Sequence, residues 1–444
     1  MLFITIQHRI VPMFQVLYKG DEATSCIKQG VALLFYKIFF AKAKLIIKKN
    51  WGEQEMLKKI ISFAVLMVFL MGMVSGCGSK KSETVKIGFI GPLTGGNAAV
   101  GMGLKHSAEL AVKQANESGK NKYKYELVVV DDGGDPSTAV SAANKLIADK
   151  GVVAVFGHFN SGCALATVPI FHKNGMPILV TAAIHPDITK GSFKEVTRIM
   201  TAANVQNEFA GNLATQEWGV KKIALIHDKT DYGKTNATQF ADTAKKNGAE
   251  IISEDGISVG QQDFAALLTK IKAENPEAIY FGGVATEAAL LKRQMADLQM
   301  NCLFLSDSGI ISDTFNKIAG DAAQGMIAFN IGKPLEDLPG GKAFIKAYDD
   351  AKFTEPHEAY GHFAYDSANV VMAAIEKAGT TDKAKIAEAI RATNNYPGVI
   401  GNISFDDRGE NTLKLITPFI SENGKWIPYY KSTIKVVDKK VAKQ

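Results

Sequence analysis

The sequence has little of what staples, ligates or cleaves. Only four of its 444 residues are cysteine, at positions 26, 77, 163 and 302, too few and too scattered for a disulfide framework. Cys163 and Cys302 fall in different predicted halves and read as lone thiols. The eight histidines show no H-E-x-x-H or other metal-ligand spacing, and His357 and His362, five apart on a predicted helix, do not share a face. A Walker A motif is missing. Gly101-x-Gly103 runs on into Lys105 and His106 and so is not G-x-G-x-x-G. Neither Asn160-Ser161-Gly162 nor Asp307-Ser308-Gly309 matches G-x-S-x-G. Asp131-Asp132, at a predicted strand end, reads as a polar loop at a sheet edge. No cofactor, no metal and no enzyme are therefore expected.

Charge of one sign is scarce too, once it is located. The net charge of +6 comes from residues 1–76, with 10 basic and 4 acidic side chains. Residues 77–444 hold 41 of each. A neutral body excludes a basic nucleic-acid surface. Hydrophobic content of 46% and charged content of 22% are ordinary for a globular chain and exclude disorder and a multi-span membrane protein. The length allows two or three domains.

One apolar run stands out. Lys58 and Lys59 precede Ile60 to Val74, followed by Val74-Ser75-Gly76-Cys77. A basic start, a short apolar core and small residues at the end make an export signal. The run is short of the roughly 20 residues of a membrane span. V-S-G-C resembles a bacterial lipobox, which implies that Cys77 is lipidated and that residues 77–84 are a tether. Met56 lies directly before the basic pair. Residues 56–76 then form the lipoprotein signal peptide, and residues 1–55 are an annotation extension upstream of the true start. A genuine extra segment is the alternative, with the apolar stretch Val31 to Ala41 broken by Lys37. N-terminal sequencing separates the two.

From Val85 onward, strands alternate with amphipathic helices. Predicted strands at 86–91, 127–130, 152–156 and 177–181 are interleaved with helices at 104–116, 137–148 and 161–171. The pattern restarts with a helix at 204–218, strands at 223–226, 251–252, 278–281 and 302–305, and helices at 233–246, 263–273 and 287–298. This order predicts an α/β fold of two Rossmann-like doubly wound lobes. Gly332, Pro334, Pro339, Gly340 and Gly341 mark a break. The helices after it, at 341–352 and 358–378, are predicted to complete the first lobe. Several crossings make a hinge. A two-lobed exported protein without catalytic motifs points to ligand capture.

Five segments in order carry a resemblance. They are Gly88-Phe89-Ile90-Gly91-Pro92-Leu93-Thr94-Gly95, Asp131-Asp132-Gly133-Gly134-Asp135-Pro136, Gly157-His158, His227-Asp228-Lys229-Thr230-Asp231-Tyr232-Gly233 and Ala319-Gly320-Asp321-Ala322-Ala323-Gln324-Gly325. Over about 85–430 the chain resembles the type I periplasmic binding proteins, in the branch of the leucine/isoleucine/valine receptors of ABC transporters. That resemblance implies a three-crossover hinge, with 85–203 and 331–406 forming lobe 1 and 204–330 and 407–444 forming lobe 2. It implies a monomer at the periplasm or outer membrane face that closes on a small amino acid or related carboxylate and delivers it to permease and ATPase subunits. Presentation of a hydrophobic or aromatic carboxylic acid to a signalling protein is the alternative.

Carried over by position, the resemblance places Ser161, flanked by Asn160 and Gly162, on the ligand's carboxylate. Ser161 opens a predicted helix, where free N–H groups favour an anion. Ala182 and Ala183 reach the ligand by their backbone, and Tyr232 closes over it. At other pocket positions the chain departs from the pattern. Ile184 replaces a hydroxyl residue and Ser308 an acidic one, both of which serve the ammonium. Asp307 is the neighbour of Ser308, but adjacent side chains along a strand end face opposite ways. Val100 and Val284 stand where the pocket has aromatics, and Gly134 and Asn160 where it has a disulfide. An ammonium left unpaired by protein is costly, so these departures favour a carboxylate with an apolar body. Asp307, Tyr360 or a water remains open as a substitute partner.

Overall fold

The computed structural model describes residues 83–443 and the isolated Ser62. The expected extension, signal peptide and lipidated Cys77 lie outside the described residues. Among the described residues no helix is long and apolar enough to cross a membrane.

The first lobe is built on five parallel strands, β1 (Thr84–Gly91), β2 (Lys124–Asp131), β3 (Val152–Gly157), β4 (Ile178–Val180) and β5 (Val196–Arg198), in the order β2-β1-β3-β4-β5. Buried on both faces, β3 reads V-V-A-V-F-G without alternation, as a central parallel strand should. Helices α1 (Ala98–Glu117), α2 (Pro136–Ala148) and α3 (Ser161–Lys173) connect the strands. Pro136 begins α2 and Asp135 caps it by accepting from Thr138 N. One sheet face packs Ile87, Phe89 and Phe156 against α1, and the other packs Ile90, Val155 and Ile178 against α2 and α3.

The second lobe repeats the design. Its strands β6 (Lys222–His227), β7 (Glu250–Gly256), β8 (Ala278–Gly282), β9 (Leu303–Ser306) and β10 (Ile327–Ile331) are interleaved with α4 (Ala203–Asn212), α5 (Asp231–Lys246), α6 (Ala265–Ala273), α7 (Ala285–Asp297) and α8 (Asp313–Ala319). The strand order β7-β6-β8-β9-β10 matches that of the first sheet.

The helices after the break pack against the first sheet or its helix α1. α9 (Gly341–Ala351), α10 (Gly361–Ala378) and α11 (Lys383–Arg391) follow β10, and Phe363, Val371 and Ile375 of α10 share a core with Leu104 and Ala108 of α1. A small hairpin, β11 (Tyr396–Gly398) with β12 (Gly401–Ile403), hangs on Asp366 of α10, which accepts from Val399 N and Ile400 N, each at 2.9 Å. The chain then crosses back, and β13 (Ile416–Glu422) and β14 (Lys425–Pro428) extend the second sheet antiparallel beyond β10. A last hairpin, β15 (Ile434–Val437) with β16 (Lys440–Lys443), packs Val441 over Gly325.

Three segments thus pass between the lobes, after β5, after β10 and before β13. They are tied side by side. Asn411 Nδ2 donates to Ile199 O at 2.6 Å, Thr201 Oγ1 to Leu413 O at 2.6 Å, and Gly332 N to Leu415 O at 2.7 Å. At their root Arg198 is fully buried and forks onto Glu410.

His362 is buried beside these segments among Phe344 and Phe363, and its Nδ1 has no hydrogen-bond partner. Burial, and secondarily His357, depress its pKa to about 3. The unfolded chain therefore binds a proton here, at a pKa of about 6.5, that the folded chain refuses. This contribution is fully present above pH 6.5 and is lost as pH falls toward 3. At pH 5 the loss is about 2 kcal/mol. Urea unfolding at pH 7 and pH 5 should show wild type losing more stability than His362→Phe, and equal losses would refute it.

Candidate functional site

In a doubly wound sheet, ligands sit beyond the C-terminal strand ends where the order reverses. Here that point lies between β1 and β3 in one lobe and between β6 and β8 in the other. A cavity of ≈ 80 Å³ lies between them. Lobe 1 lines it with Asn97, Gly134, Phe159, Asn160, Ala182 and Tyr360. Lobe 2 contributes Asp228, Thr230, Tyr232, Val259, Val284 and Ser308. The lobes meet around it. Tyr360 Oη donates to Ser308 O across the cleft, and a Cβ on Gly162 would lie 3.1 Å from Asp231 Oδ2.

The lobe 1 wall is a rigid turn. His158 follows β3 with φ +55°. Its buried ring is hydrogen-bonded to Asp132 Oδ2 at 2.8 Å and Thr167 Oγ1 at 2.7 Å, which fixes the backbone leading into α3. Asn160 is the residue before α3, with extended backbone and no side-chain cap. Ser161 is fully buried, and its Oγ has no hydrogen-bond partner, nor has Asn160 Oδ1. The orphaned Ser161 hydroxyl, free to donate at the start of a 13-residue helix, suits an anionic ligand, whereas Asn160 Oδ1 can only accept. Asp131 accepts from Leu93 N, Gly133 N and Thr94 Oγ1. It and Asp132 therefore order the neighbouring loops, in line with the polar-loop reading.

The lobe 2 wall is acidic. Asp228 follows β6, and its Oδ1 accepts from Thr230 N at 2.9 Å and Thr230 Oγ1 at 2.6 Å. Thr230 in turn caps α5 through Gly233 N. Asp307 follows β9. Its Oδ1 accepts from Tyr232 Oη at 2.6 Å and Gly309 N at 2.8 Å, and its Oδ2 from Gly283 N at 3.2 Å. Burial raises the pKa of Asp228 to about 6 and that of Asp307 to about 7. It also holds the Tyr232 phenol well above its usual range, helped by Asp307.

Of the positions expected from sequence, Asn160, Ala182, Tyr232, Val284 and Ser308 line the cavity, with Ser161 and Gly162 directly behind Asn160 in the chain. Ala183 and Ile184 do not line it. Ala183 packs into the core beneath α3 and Ile184 into the core beneath α1, while Ile184 O accepts from Ala203 N at the first crossing. Val100 packs against the lobe 1 core. Asp307 does not line the cavity and stands behind Tyr232, which donates to it. Gly134 and Asn160 are neighbours, a Cβ on Gly134 falling 3.1 Å from Asn160 Oδ1. Sequence reasoning missed Asp228 as a wall residue, although it sits in the His227-to-Gly233 segment read only for Tyr232. Among the described residues no group of three His, Cys, Asp or Glu side chains is placed to hold a metal. Cys163 is buried, Cys302 half-buried, and both are free.

The sequence pattern of periplasmic binding proteins matches residues 84–416. The chain belongs to the periplasmic binding protein family. This periplasmic binding protein is 34% identical over 333 residues, 75% of the chain and 88% of the relative, to the leucine-, isoleucine-, valine-, threonine- and alanine-binding protein of Pseudomonas aeruginosa. It is 33% identical over 374 residues, 83% of the chain and 99% of the relative, to Leu/Ile/Val-binding protein homolog 2 of Brucella abortus. Its structure is similar to the leucine-binding protein LivK of Thermotoga maritima, with a TM-score of 0.73, 29% identity and coverage of 78% and 97% of the two chains. It is likewise similar to the branched-chain amino acid transporter substrate-binding protein LivJ of Streptococcus pneumoniae in complex with isoleucine, with a TM-score of 0.71, 27% identity and coverage of 78% and 98%. The family and fold are those of binding proteins of transporters, not of enzymes.

Proposed function

We propose that this chain is the extracytoplasmic, lipid-anchored receptor of an ABC importer, and that it closes its two lobes on a small amino acid of the branched-chain type. The observation that carries the reading is the cavity between the lobes, with buried, unpartnered Ser161 Oγ at the start of α3, next in the chain to the lining Asn160. A cavity of ≈ 80 Å³ is far below the roughly 300–1,000 Å³ of drug-sized pockets, which supports a compact ligand. In this reading residues 85–203 and 331–406 act as lobe 1, and 204–330 and 407–444 as lobe 2. The monomer is held by lipid on Cys77 and meets permease and ATPase subunits at the membrane. The neutral Ser308 and the packed Ile184 favour a second reading, a receptor for a hydrophobic or aromatic carboxylic acid.

Thermal unfolding against leucine, isoleucine, valine, phenylalanine and their amine-free acids tests the proposal. A ligand at 100 times its Kd adds about 2.7 kcal/mol. Stabilisation by the amino acids supports the first reading, stabilisation by the amine-free acids alone the second, and no response from either set opposes both.

Ser161→Ala isolates the anion site. Ser161 Oγ makes no hydrogen bond inside the protein, so the variant should unfold at the same temperature. A lost hydrogen bond to a charged group is worth roughly 1.5–3 kcal/mol, so carboxylate affinity should fall about tenfold or more. Unchanged affinity would move the anion site elsewhere.

A further inference from the structure

One buried carboxylate, Asp228, lines the cavity and a second, Asp307, stands behind Tyr232, with nothing basic beside either. Asp228 is 2% exposed and Asp307 is 0% exposed. Among the described residues neither forms an ion pair with Lys, Arg or His. The groups that face Asp228 add no positive charge. Glu287 on α7 and Asp307 after β9 are acidic and act on it or through it. Tyr232 on α5 is a phenol. Lys229 turns outward over Gly256 of β7, and His227 lies 3.9 Å from Glu254. Across the cleft the lobe 1 wall offers only neutral side chains, and Asp231 lies against Gly162.

Two neighbouring carboxylates without a counter-charge do not both ionise readily in a buried site. An amine-free carboxylate would bring more negative charge toward this wall, whereas a zwitterion brings the missing positive one. The two acids differ in availability. Both oxygens of Asp307 are engaged, and its side chain stands behind Tyr232. Asp228 lines the cavity, and among the described residues no donor reaches its Oδ2.

Building on the amino-acid reading above, we propose that Asp228 receives the ligand's ammonium, in place of an acid at position 308, and that closure on the ligand expels one proton from the Asp228–Asp307 pair. The carboxyl O–H bond breaks, its proton goes to solvent, and the ammonium arrives and stays protonated. The raised pKa values of both acids put this exchange near neutral pH. Charge on the ligand is thus a condition for a stable closed state, and specificity for the amine resides in lobe 2, the wall opposite Ser161.

Calorimetric titration of the purified chain at pH 6.5 with L-leucine and with 4-methylpentanoate, in two buffers of different ionisation enthalpy, counts the protons. Leucine binding should release about half a proton or more. Asp228→Asn retains the Oδ1 that accepts from Thr230, so the turn is kept while the charge is removed. It should weaken leucine about tenfold or more and abolish the release without weakening 4-methylpentanoate. Leucine binding to wild type without proton release overturns the inference even if the variant fails to fold. So does a folded Asp228→Asn that binds leucine as tightly and releases the same proton. In both cases the receptor reading stands. Wild type that binds 4-methylpentanoate alone overturns the inference and the amino-acid reading but leaves carboxylate capture, and wild type that binds neither overturns the function proposed for the cavity as well.

Discussion

Replacing Arg198 by methionine is expected to cost about 3–5 kcal/mol of unfolding free energy, measured by urea denaturation. The guanidinium is fully buried at the end of β5, donates to Glu410 through Nε at 3.1 Å and again through Nη2, and reaches His185 O through Nη1 at 2.6 Å. Thr189 Oγ1 donates to the same carboxylate. Removing the cation leaves Glu410 buried beside a single hydroxyl and takes from His185 O one of its two donors, the other being Ile188 N at 3.2 Å. Arg198→Met combined with Glu410→Leu removes both charges and should recover much of the loss, because a buried pair as a whole is worth far less than one orphaned partner. A single-variant cost below about 1 kcal/mol would show that water reaches Glu410. The pair joins the strand that starts the first crossing to the segment that leads into the third. A weakened root should therefore change how the lobes are held as well as how firmly they fold.

Much of the fold was legible because its signals are local. A parallel strand buried on both faces announces itself as a short apolar run, as in β3 and β8, and its helix by apolar spacing and a cap, as with Asp135 and Thr230. What went unread has weak local signals. β5 is three residues long and held by its pairing with β4 and by Arg198. The predicted helix at 204–218 is one α-helix that passes into a wider turn at Leu213–Glu217, a change with no signal in its composition. Nor does pattern place Glu410 against Arg198, 212 residues away.

The candidate site was legible only where a backbone motif carries it. The sequence places Ser161 at the start of a helix, as the fold does, and Tyr232 in a motif that the fold brings to the cavity wall. Ile184 reads as a pocket position by the family resemblance, yet its side chain packs into the core and its carbonyl accepts from Ala203 N at the first crossing. Asp228 was hidden for the opposite reason. An aspartate two residues before a helix cap reads as turn chemistry, which it also performs through Oδ1. Its side chain reaches the cavity wall only where the two lobes meet, a juxtaposition that no single segment contains.

Gly157→Ala should destabilise the protein by about 4 kcal/mol or more, beyond the range of ordinary substitutions. Gly157 ends β3 with φ +139°, and a Cβ there would fall 2.0 Å from Ile90 O. That oxygen cannot retreat. It accepts from His158 N at 2.8 Å, and β1 is fixed between β2 and β3. Gly157 O also accepts from Thr181 N at 2.8 Å, so moving the glycine disturbs β4 too. Gly119→Ala is the control. Gly119 has φ +63°, and a Cβ there would have nothing within 4 Å, so it carries the conformational penalty, about 1 kcal/mol, without the clash. If both variants lose the same stability in urea, the close approach at Gly157 is not what requires glycine. If Gly157→Ala alone is crippled, the cause is the tight β1–β3 contact, and that contact has a use. It brings His158, Asn160 and Ser161 to the strand end at the switch point, where the anion site is proposed. Any fraction of the variant that folds should therefore bind carboxylates more weakly, while Gly119→Ala binds them as wild type does.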